Sequence, residues 1–337
     1  MLVTNQGSVR VDLVGGTLDI EPINLIIKNV ITLNVATGLK AKVAISESTF
    51  NGIEIVSTDY NKSYKFEAKD LTEDNVVYSN RFEEMTFVLQ ILRLFNISSG
   101  YKLELSSGAP AGSGLGGSSA MGVTLYKALC NLTGDNYDRH TAVQRVKAVE
   151  SRILNQGVAG YQDYFPALTG GVLAVKGIEG EIKVEQLYSD ELKVTLEKHL
   201  VLIYSGQSRA SGINNWEVYK GFFDKRPEVV AGLTKIAEIS YETYLALKQK
   251  DWGKMLKGIA AEGTTREKLF PGITTEKIRN FTHEVSAQGK VLGMKMCGAG
   301  GGGCFILVHD GLDQAFISAK VQEHGMQILP FNVESPL

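Results

Sequence analysis

The sequence predicts a mixed α/β protein with enough chain for two domains. Near the N-terminus Val9, Val11 and Leu13 alternate with polar residues, as in a half-buried strand. In the middle, Tyr101, Leu103 and Leu105 alternate likewise, and beyond a glycine-rich loop Met121, Leu125, Ala128, Leu129 and Leu132 recur at helical spacing. Toward the C-terminus two apolar runs, one ending at Met296 and one beginning at Phe305, flank a second glycine-rich loop. At 337 residues the chain has room for two hydrophobic cores.

The first strand delivers charge to a turn. Arg10 and Asp12 share one face of the pleat, the strand ends at Gly15-Gly16, and Thr17, Leu18 and Asp19 follow. A carboxylate emerging there suits sugar hydroxyls, and the same pattern also fits a solvated strand face with a charged turn. The segment Ile23 to Val43 has no glutamine or acidic residue and reads as one or two further buried strands.

Residues 108 to 122, Gly-Ala-Pro-Ala-Gly-Ser-Gly-Leu-Gly-Gly-Ser-Ser-Ala-Met-Gly, carry the strongest chemical signal. The following helix begins near Ser118, and its first N–H groups, with the positive end of the helix dipole, point into the loop. Gly112, Gly114, Gly116 and Gly117 let backbone approach an anion, while Ser118 and Ser119 offer hydroxyls. Gly112, Gly114 and Gly117 also satisfy G-x-G-x-x-G, but a dinucleotide fold needs a strand ending in an acidic residue about twenty residues on. Here Gly134, Asp135 and Asn136 form a turn and Asp138 opens a helix. No G-x-x-x-x-G-K-[ST] occurs, which removes the common P-loop.

The next helix, from Arg139 to about Gln156, carries Ala142, Val143, Val146, Val149, Ile153 and Leu154 on one stripe, and Glu150 falls inside it. A carboxylate aimed at a core needs a partner. Lys147 or Arg152 on a neighbouring turn, a hydrogen-bond network, or a metal ion all qualify. Beyond Gly157, the turn Gly160-Tyr-Gln-Asp-Tyr164 sets Asp163 between aromatics as a candidate base, ahead of the apolar run Ala167 to Val175.

Five of the six residues after Cys297 are glycine, far more than a hairpin requires, which marks a second place of close backbone approach. Cys130, Cys297 and Cys304 form no C-x-x-C pair and read as small apolar residues of a protein kept in a reducing cytoplasm. A net charge of −2 gives no broad basic field, so nucleic acid and anionic membrane surfaces are poor partners. No apolar run reaches membrane-spanning length, and the start lacks the basic and apolar regions of a secretion signal.

Three motifs, in order, resemble those of the GHMP kinase superfamily, which includes galactokinase, homoserine kinase, mevalonate kinase and phosphomevalonate kinase. They are Arg10-Val-Asp-Leu-Val-Gly-Gly-Thr-Leu-Asp19, Pro110 through Gly114-Leu-Gly-Gly-Ser-Ser-Ala120, and Lys295-Met-Cys-Gly-Ala-Gly-Gly-Gly-Gly303. Within the superfamily, Gly160-Tyr-Gln-Asp163, the following Gly170-Gly171 and the loop Ser205-Gly-Gln-Ser-Arg-Ala-Ser211 are similar to D-glycero-D-manno-heptose 7-phosphate kinases and the kinase domain of L-fucose kinases. Gly-Thr-Leu-Asp19 and Glu21-Pro22-Ile23 depart from the heptose pattern of Gly-Gly-Thr-Asp and Pro-Pro-aromatic.

The resemblance implies a two-domain α/β (α+β) GHMP kinase fold. Residues 1–190 would form a ribosomal-protein-S5 domain 2-like ATP-binding domain and residues 191–337 a ferredoxin-like domain, with the boundary in the charged stretch Ser189 to Lys198. It implies ATP and Mg²⁺ as cofactors. Gly112, Ser113, Gly114, Leu115, Gly116, Gly117, Ser118 and Ser119 would hold the phosphates, with Ser119, in preference to Ser118, and Glu150 on the metal. Asp163 would be the catalytic carboxylate and Arg10 its charge partner. Thr17, Asp19, Arg209, Gly300 and Gly301 would contact the acceptor, and the segment Tyr60 to Leu94 is a candidate wall for the base. The implied partner is a small sugar or sugar phosphate, most of all a heptose 7-phosphate. A fucose or galactose kinase, a mevalonate-type kinase and a non-catalytic binding relative are the alternatives, and a homodimer is left open.

Overall fold

The computed structural model describes residues 2–79, 81–154, 158–178, 181–207, 215–270 and 272–337. The N-terminal part comprises β1 (Leu2–Val14), α1 (Ile23–Ile26), β2 (Ile31–Glu47), β3 (Gly52–Ser57), β4 (Lys62–Glu67), α2 (Thr86–Arg93), β5 (Tyr101–Ser106), α3 (Gly117–Thr133), α4 (Arg139–Leu154), α5 (Phe165–Thr169), β6 (Val172–Ile178) and β7 (Glu181–Gln186). Its strands form one seven-stranded sheet organised by β2, which pairs antiparallel with β1, β5 and β6. The pair β3 and β5 is parallel, so the sheet is mixed.

The sequence of β2 explains this central place. Its first residues, Ile31 to Thr37, are buried on both faces, and from Ala41 onward Ala41, Val43 and Ile45 turn inward while Lys42 faces water. The expected strands across Ile23 to Val43 are therefore one strand and one short helix. Ile23 through Ile26 close a helical turn in which Ile23 is buried while Leu25 and Ile26 are exposed.

The C-terminal part comprises α6 (Asp190–His199), β8 (Leu200–Tyr204), α7 (Asn215–Phe223), α8 (Pro227–Lys248), α9 (Trp252–Leu269), α10 (Glu276–Ser286), β9 (Val291–Met296), β10 (Cys304–His309), α11 (Gln314–Glu323) and β11 (Gln327–Ile328). Its four strands pair antiparallel in the order β11-β8-β10-β9. The charged stretch expected at the boundary is helix α6. Ser189 caps it by accepting the Leu192 N–H at 3.1 Å, and Leu192 and Leu196 are buried.

The main apolar core runs across residue 190: Leu196, Leu202, Ile259 and Ile306 join the cluster of Val11, Leu33 and Leu129. The chain end also returns to the first sheet. Val333 bridges to Thr37, and the Leu337 N–H is donated to the Thr169 carbonyl at 2.8 Å. One side of the cleft thus depends on how α9 and β9 meet the N-terminal sheet.

Helix α9 lies directly on β9 because Gly263 has no side chain. A Cβ there would sit 2.1 Å from the Met294 carbonyl oxygen. Gly263→Ala is therefore expected to destabilise the protein by about 1–3 kcal/mol or more, through forced separation of helix and strand. A lowered urea midpoint with unchanged m-value is the readout.

Candidate active site

The loop after β5 turns through four left-handed glycines, Gly108, Gly112, Gly114 and Gly116, with φ of 74°, 69°, 77° and 70°. Gly116 is the N-cap of α3, so the N–H groups of Gly117, Ser118 and Ser119 open onto the cleft rather than into the helix. A side chain is excluded here for a second reason: a Cβ on Gly114 would lie 2.5 Å from the Cys297 carbonyl oxygen, and one on Gly116 would lie 3.0 Å from Asp163. The second glycine run packs on the first, with Gly303 set against the carbonyls of Gly112 and Ser113. Its density thus serves a contact of backbone with backbone. Cys297 and Cys304 are buried free thiols beside it.

Arg10 crosses beneath this loop. Its Nη1 donates to the Gly114 carbonyl at 2.5 Å, Nε donates to Asp163 Oδ1 at 2.7 Å, and Nη2 pairs with the same oxygen at 2.6 Å. Among the described residues no hydrogen bond reaches Asp163 Oδ2, and the carboxylate is partly exposed to the cleft. Burial opposes the charge on Arg10, but Asp163 and Asp12 hold the guanidinium protonated, above its ordinary value.

Behind Arg10 stands Asp12, fully buried and touched by cations from three elements. Arg10 Nη1 is 3.6 Å from Oδ1, Arg266 Nη1 of α9 is 3.6 Å from Oδ2, and Lys295 Nζ of β9 makes a short hydrogen bond to Oδ2. The Gly298 N–H also donates to Oδ1 at 3.2 Å. Burial pushes this carboxyl up, but Lys295, Arg10 and Arg266 together hold it below the usual carboxylate range. Glu262 is equally buried, 3.7 Å from Lys295, and there burial wins and raises its pKa. The strand face carrying Arg10 and Asp12 is therefore interior, not solvated.

Glu150 is held by hydroxyls and not by a cation. Ser118 donates to Oε1, Ser119 to Oε2, each at 2.7 Å, and Tyr164 donates to Oε2 at 2.6 Å. Lys147 turns instead to Glu21 at 3.2 Å, and Arg152 stacks over Tyr78. Burial raises the Glu150 pKa against the lowering effect of these donors. A buried carboxylate with an all-oxygen neighbourhood and no cation among the described residues fits a hard divalent ion completed by substrate phosphates. Ser118 is exposed and Ser119 buried, so both remain candidate ligands beside Glu150. Ile153 and Leu154, expected on the core stripe of this helix, are 36% and 49% exposed and line the cleft instead.

Asp19 lies at the other end of these groups. Its Oδ2 accepts the Tyr161 and Gln162 N–H groups at 2.6 and 2.8 Å, while its buried Oδ1 has no hydrogen-bond partner among the described residues. Burial pushes the carboxyl up to about 6 against the pull of those donors. Gln162 Oε1 is a second buried oxygen without a donor. Glu21 braces this wall, accepting from Tyr161 Oη at 2.6 Å, while Lys147 Nζ sits 4.4 Å above the Tyr161 ring.

These elements surround one cavity of about 480 Å³. Arg10, Thr17, Asp19, Glu150, Asp163 and the whole run Gly112 to Ser119 line it, and Tyr60, Met85, Phe87 and Val88 supply an apolar wall from the segment expected to face the base. Leu115 contributes its backbone, since its side chain is buried in the core and its carbonyl accepts the Arg10 N–H at 3.1 Å. Gly298 and Ala299 line the cavity, whereas Gly300 and Gly301 do not. A Cβ on Gly300 would meet Ile273, and the Gly301 N–H is donated to the Ile273 carbonyl at 2.7 Å. Arg209 lies outside the described residues.

Sequence reasoning paired Asp12 with Arg10 on the first strand without giving it a partner, and it assigned no role to Glu262, Arg266, Lys295 or Tyr164. A signal existed for two of them. Glu262 and Arg266 fall in register with Met255, Ile259 and Gly263 on the buried stripe of α9, where charge is out of place.

Residues 82–171 match the GHMP kinases N terminal domain and residues 244–326 the GHMP kinases C terminal region. The chain belongs to the GHMP kinase family, enzymes that transfer a phosphoryl group from ATP to an alcohol. The bifunctional fucokinase/GDP-fucose pyrophosphorylase of Arabidopsis thaliana is 24% identical over 332 residues, which are 94% of this chain and 31% of that protein. The chain therefore spans about a third of that relative's length. A mevalonate kinase of Methanothermobacter thermautotrophicus is 24% identical over 222 residues, 66% of this chain and 69% of that one. Among solved structures, a D-glycero-D-manno-heptose 1-phosphate kinase from Bacteroides thetaiotaomicron superposes with a TM-score of 0.75 at 20% identity, covering 100% of this chain and 97% of that one. Similarity at this level establishes the fold and leaves the acceptor to the chemistry of the site.

Asp19 gives a test with a defined sign. Its folded pKa of about 6 stands above the ordinary 3.8, so its contribution favours the fold below the lower value and is lost as pH rises through the upper one. Asp19→Asn is expected to stabilise the unliganded protein at pH 7 by roughly 2–3 kcal/mol. That gain should shrink as pH falls below about 6. Paired melting curves from pH 4.5 to 8 measure the difference.

Proposed function

We propose that this chain is an ATP-dependent kinase of a polyhydroxyl acceptor, a sugar or sugar phosphate, with a heptose 7-phosphate as the leading candidate. The observation that carries the acceptor class is the group of Asp19, Gln162 and Asp163 on the cavity wall, in which Asp19 Oδ1 and Gln162 Oε1 have no hydrogen-bond donor among the described residues. Oxygens of this kind take hydroxyl donors, and a vicinal diol supplies them. Fucose-type and galactose-type sugars are the first alternatives on the same chemistry, and mevalonate, with fewer hydroxyls, is the second.

Mg²⁺-ATP, when bound, supplies the phosphoryl group and neutralises charge on it. The N–H groups of Gly117 to Ser119 hold phosphate oxygens at the positive end of α3. Glu150 and the Ser118 and Ser119 hydroxyls would hold the metal, with Tyr164 fixing the carboxylate. Asp163 receives or orients the acceptor hydroxyl proton on Oδ2, while Arg10 fixes Oδ1. Asp19 and Gln162 orient neighbouring hydroxyls, so that attack is in line. Positioning and charge account for most of the rate enhancement.

The direct test is ADP release from Mg²⁺-ATP with aldoses, heptose phosphates and mevalonate as acceptors. Turnover of a sugar or sugar phosphate is the expected result, and turnover of mevalonate alone overturns the acceptor class. Asp163→Asn should then lower kcat by about 10²-fold or more with ATP affinity nearly unchanged. Glu150→Gln should lower kcat by a similar factor or more, since charge and not volume is lost. Isothermal titration with ATP alone, and with ATP and Mg²⁺, separates the metal site from the base: Glu150→Gln removes the metal-dependent gain in affinity and Asp163→Asn retains it.

A further inference from the structure

Arg266 is a guanidinium with unused donors. It is 2% exposed, projects from α9, and lines the cavity beside Thr17. Its Nη2 donates to the Gly298 carbonyl at 3.0 Å and more loosely to Thr17 Oγ1 at 3.3 Å. The N–H groups on Nε and Nη1 have no hydrogen-bond acceptor among the described residues, and the nearest carboxylate oxygen to Nη1, on Asp12, stands 3.6 Å away. Leaving buried charged donors unmet is destabilising, a cost retained where a ligand will meet it. The Gly16 backbone approaches the same pair closely: a Cβ there would stand 3.2 Å from Nη1 and 2.7 Å from Asp12 Oδ2.

Arg10, Lys295 and Arg266 surround Asp12, Arg10 also reaches Asp163, and Lys295 lies 3.7 Å from Glu262. Position separates Arg266 from the donor phosphates. Arg10 reaches Asp12 from the side of Gly114 and Asp163, and Arg266 reaches it by the opposite oxygen, on the side of Thr17 and Gly16. Thr17 is two residues from Asp19, and both line the same cavity.

We propose that Arg266 binds an anionic substituent of the acceptor, a phosphate or carboxylate, and so selects charged sugars over neutral ones. This rests on the reading of the chain as a sugar kinase. Asp19 and Gln162 take hydroxyl donors, and Arg266 and Thr17 supply the complementary donors to an oxyanion, so the two ends of the acceptor are read by opposite chemistry.

The experiment has a kinetic and a binding arm. In the first, KM and kcat are measured for an aldose phosphate, the matching uronate and the neutral aldose, with wild type, Arg266→Gln and Arg266→Lys. The expected result is a rise in KM for the anionic acceptor of about ten- to a hundredfold in Arg266→Gln, partial recovery in Arg266→Lys, and a KM for ATP within about twofold of wild type. Which of the two anions responds identifies the substituent. A fall in kcat for every acceptor with KM unchanged assigns the donors to the phosphoryl group in transfer and overturns the proposal. Equal use of neutral and anionic sugars, with KM unmoved in both variants, overturns it too.

In the second arm, protein saturated with Mg²⁺ and a non-hydrolysable ATP analogue is melted with and without millimolar inorganic phosphate, so that the glycine loop is already filled. A phosphate-dependent rise in Tm that Arg266→Gln loses and Arg266→Lys keeps supports the anion site. If that rise is seen while no sugar is phosphorylated, the anion site stands and the sugar-kinase reading falls. If Arg266→Gln does not fold, the KM of Arg266→Lys decides: a value unchanged for the anionic acceptor, with no phosphate shift in wild type, overturns the proposal.

Discussion

The carboxylate of Asp12 is the constraint on which the cleft depends. It sits on β1, yet its partners come from α9 and β9, and through the Gly298 N–H it also fixes the start of the second glycine run. Burying such a cluster brings little net stability, because desolvation offsets most of the Coulomb attraction. What it secures is geometry. Each cation has one place to go, and Arg10, held from behind by Asp12, can present Nε and Nη2 to Asp163 in a single orientation. An apolar replacement would pack as well and position nothing.

The glycines form a second layer of the same design. In most proteins a glycine-rich loop is an entropic cost accepted for approach to a ligand. Here the two loops also approach each other, Gly114 on Cys297 and Gly303 on Gly112 and Ser113, with the first loop capped by the helix it starts. The N–H groups at the start of α3 are thereby fixed before any ligand arrives, which is what electrostatic preorganisation requires. Tyr164 does the same for Glu150 from the opposite side.

Unmet polar atoms are what the proposed acceptor reading rests on. Among the described residues, Asp19 Oδ1, Gln162 Oε1 and the Arg266 Nε and Nη1 donors are buried without hydrogen-bond partners. They are acceptors at one place and donors at another, which under the proposed reading gives the pocket a polarity. A site of this kind lowers the stability of the empty protein and returns it on binding.

The sequence by itself determined the strand, glycine loop and helix that border the cleft, because a period of two, a run of glycines and a period near 3.6 are local signals. It also determined that Glu150 was out of place on its helix, and the order of three motifs carried the family. Only the tertiary structure decided that Ile23 begins a helix and not a strand, that Gly300 and Gly301 face Ile273, and that Ile153 and Leu154 border the cleft. It alone decided what each buried charge meets. Asp12 and Lys295 are 283 residues apart in the chain, and no spacing rule connects them. Periodicity reports which face of an element is buried; the partner on that face is set by how separate elements pack, and that is where the catalytic geometry of this chain resides.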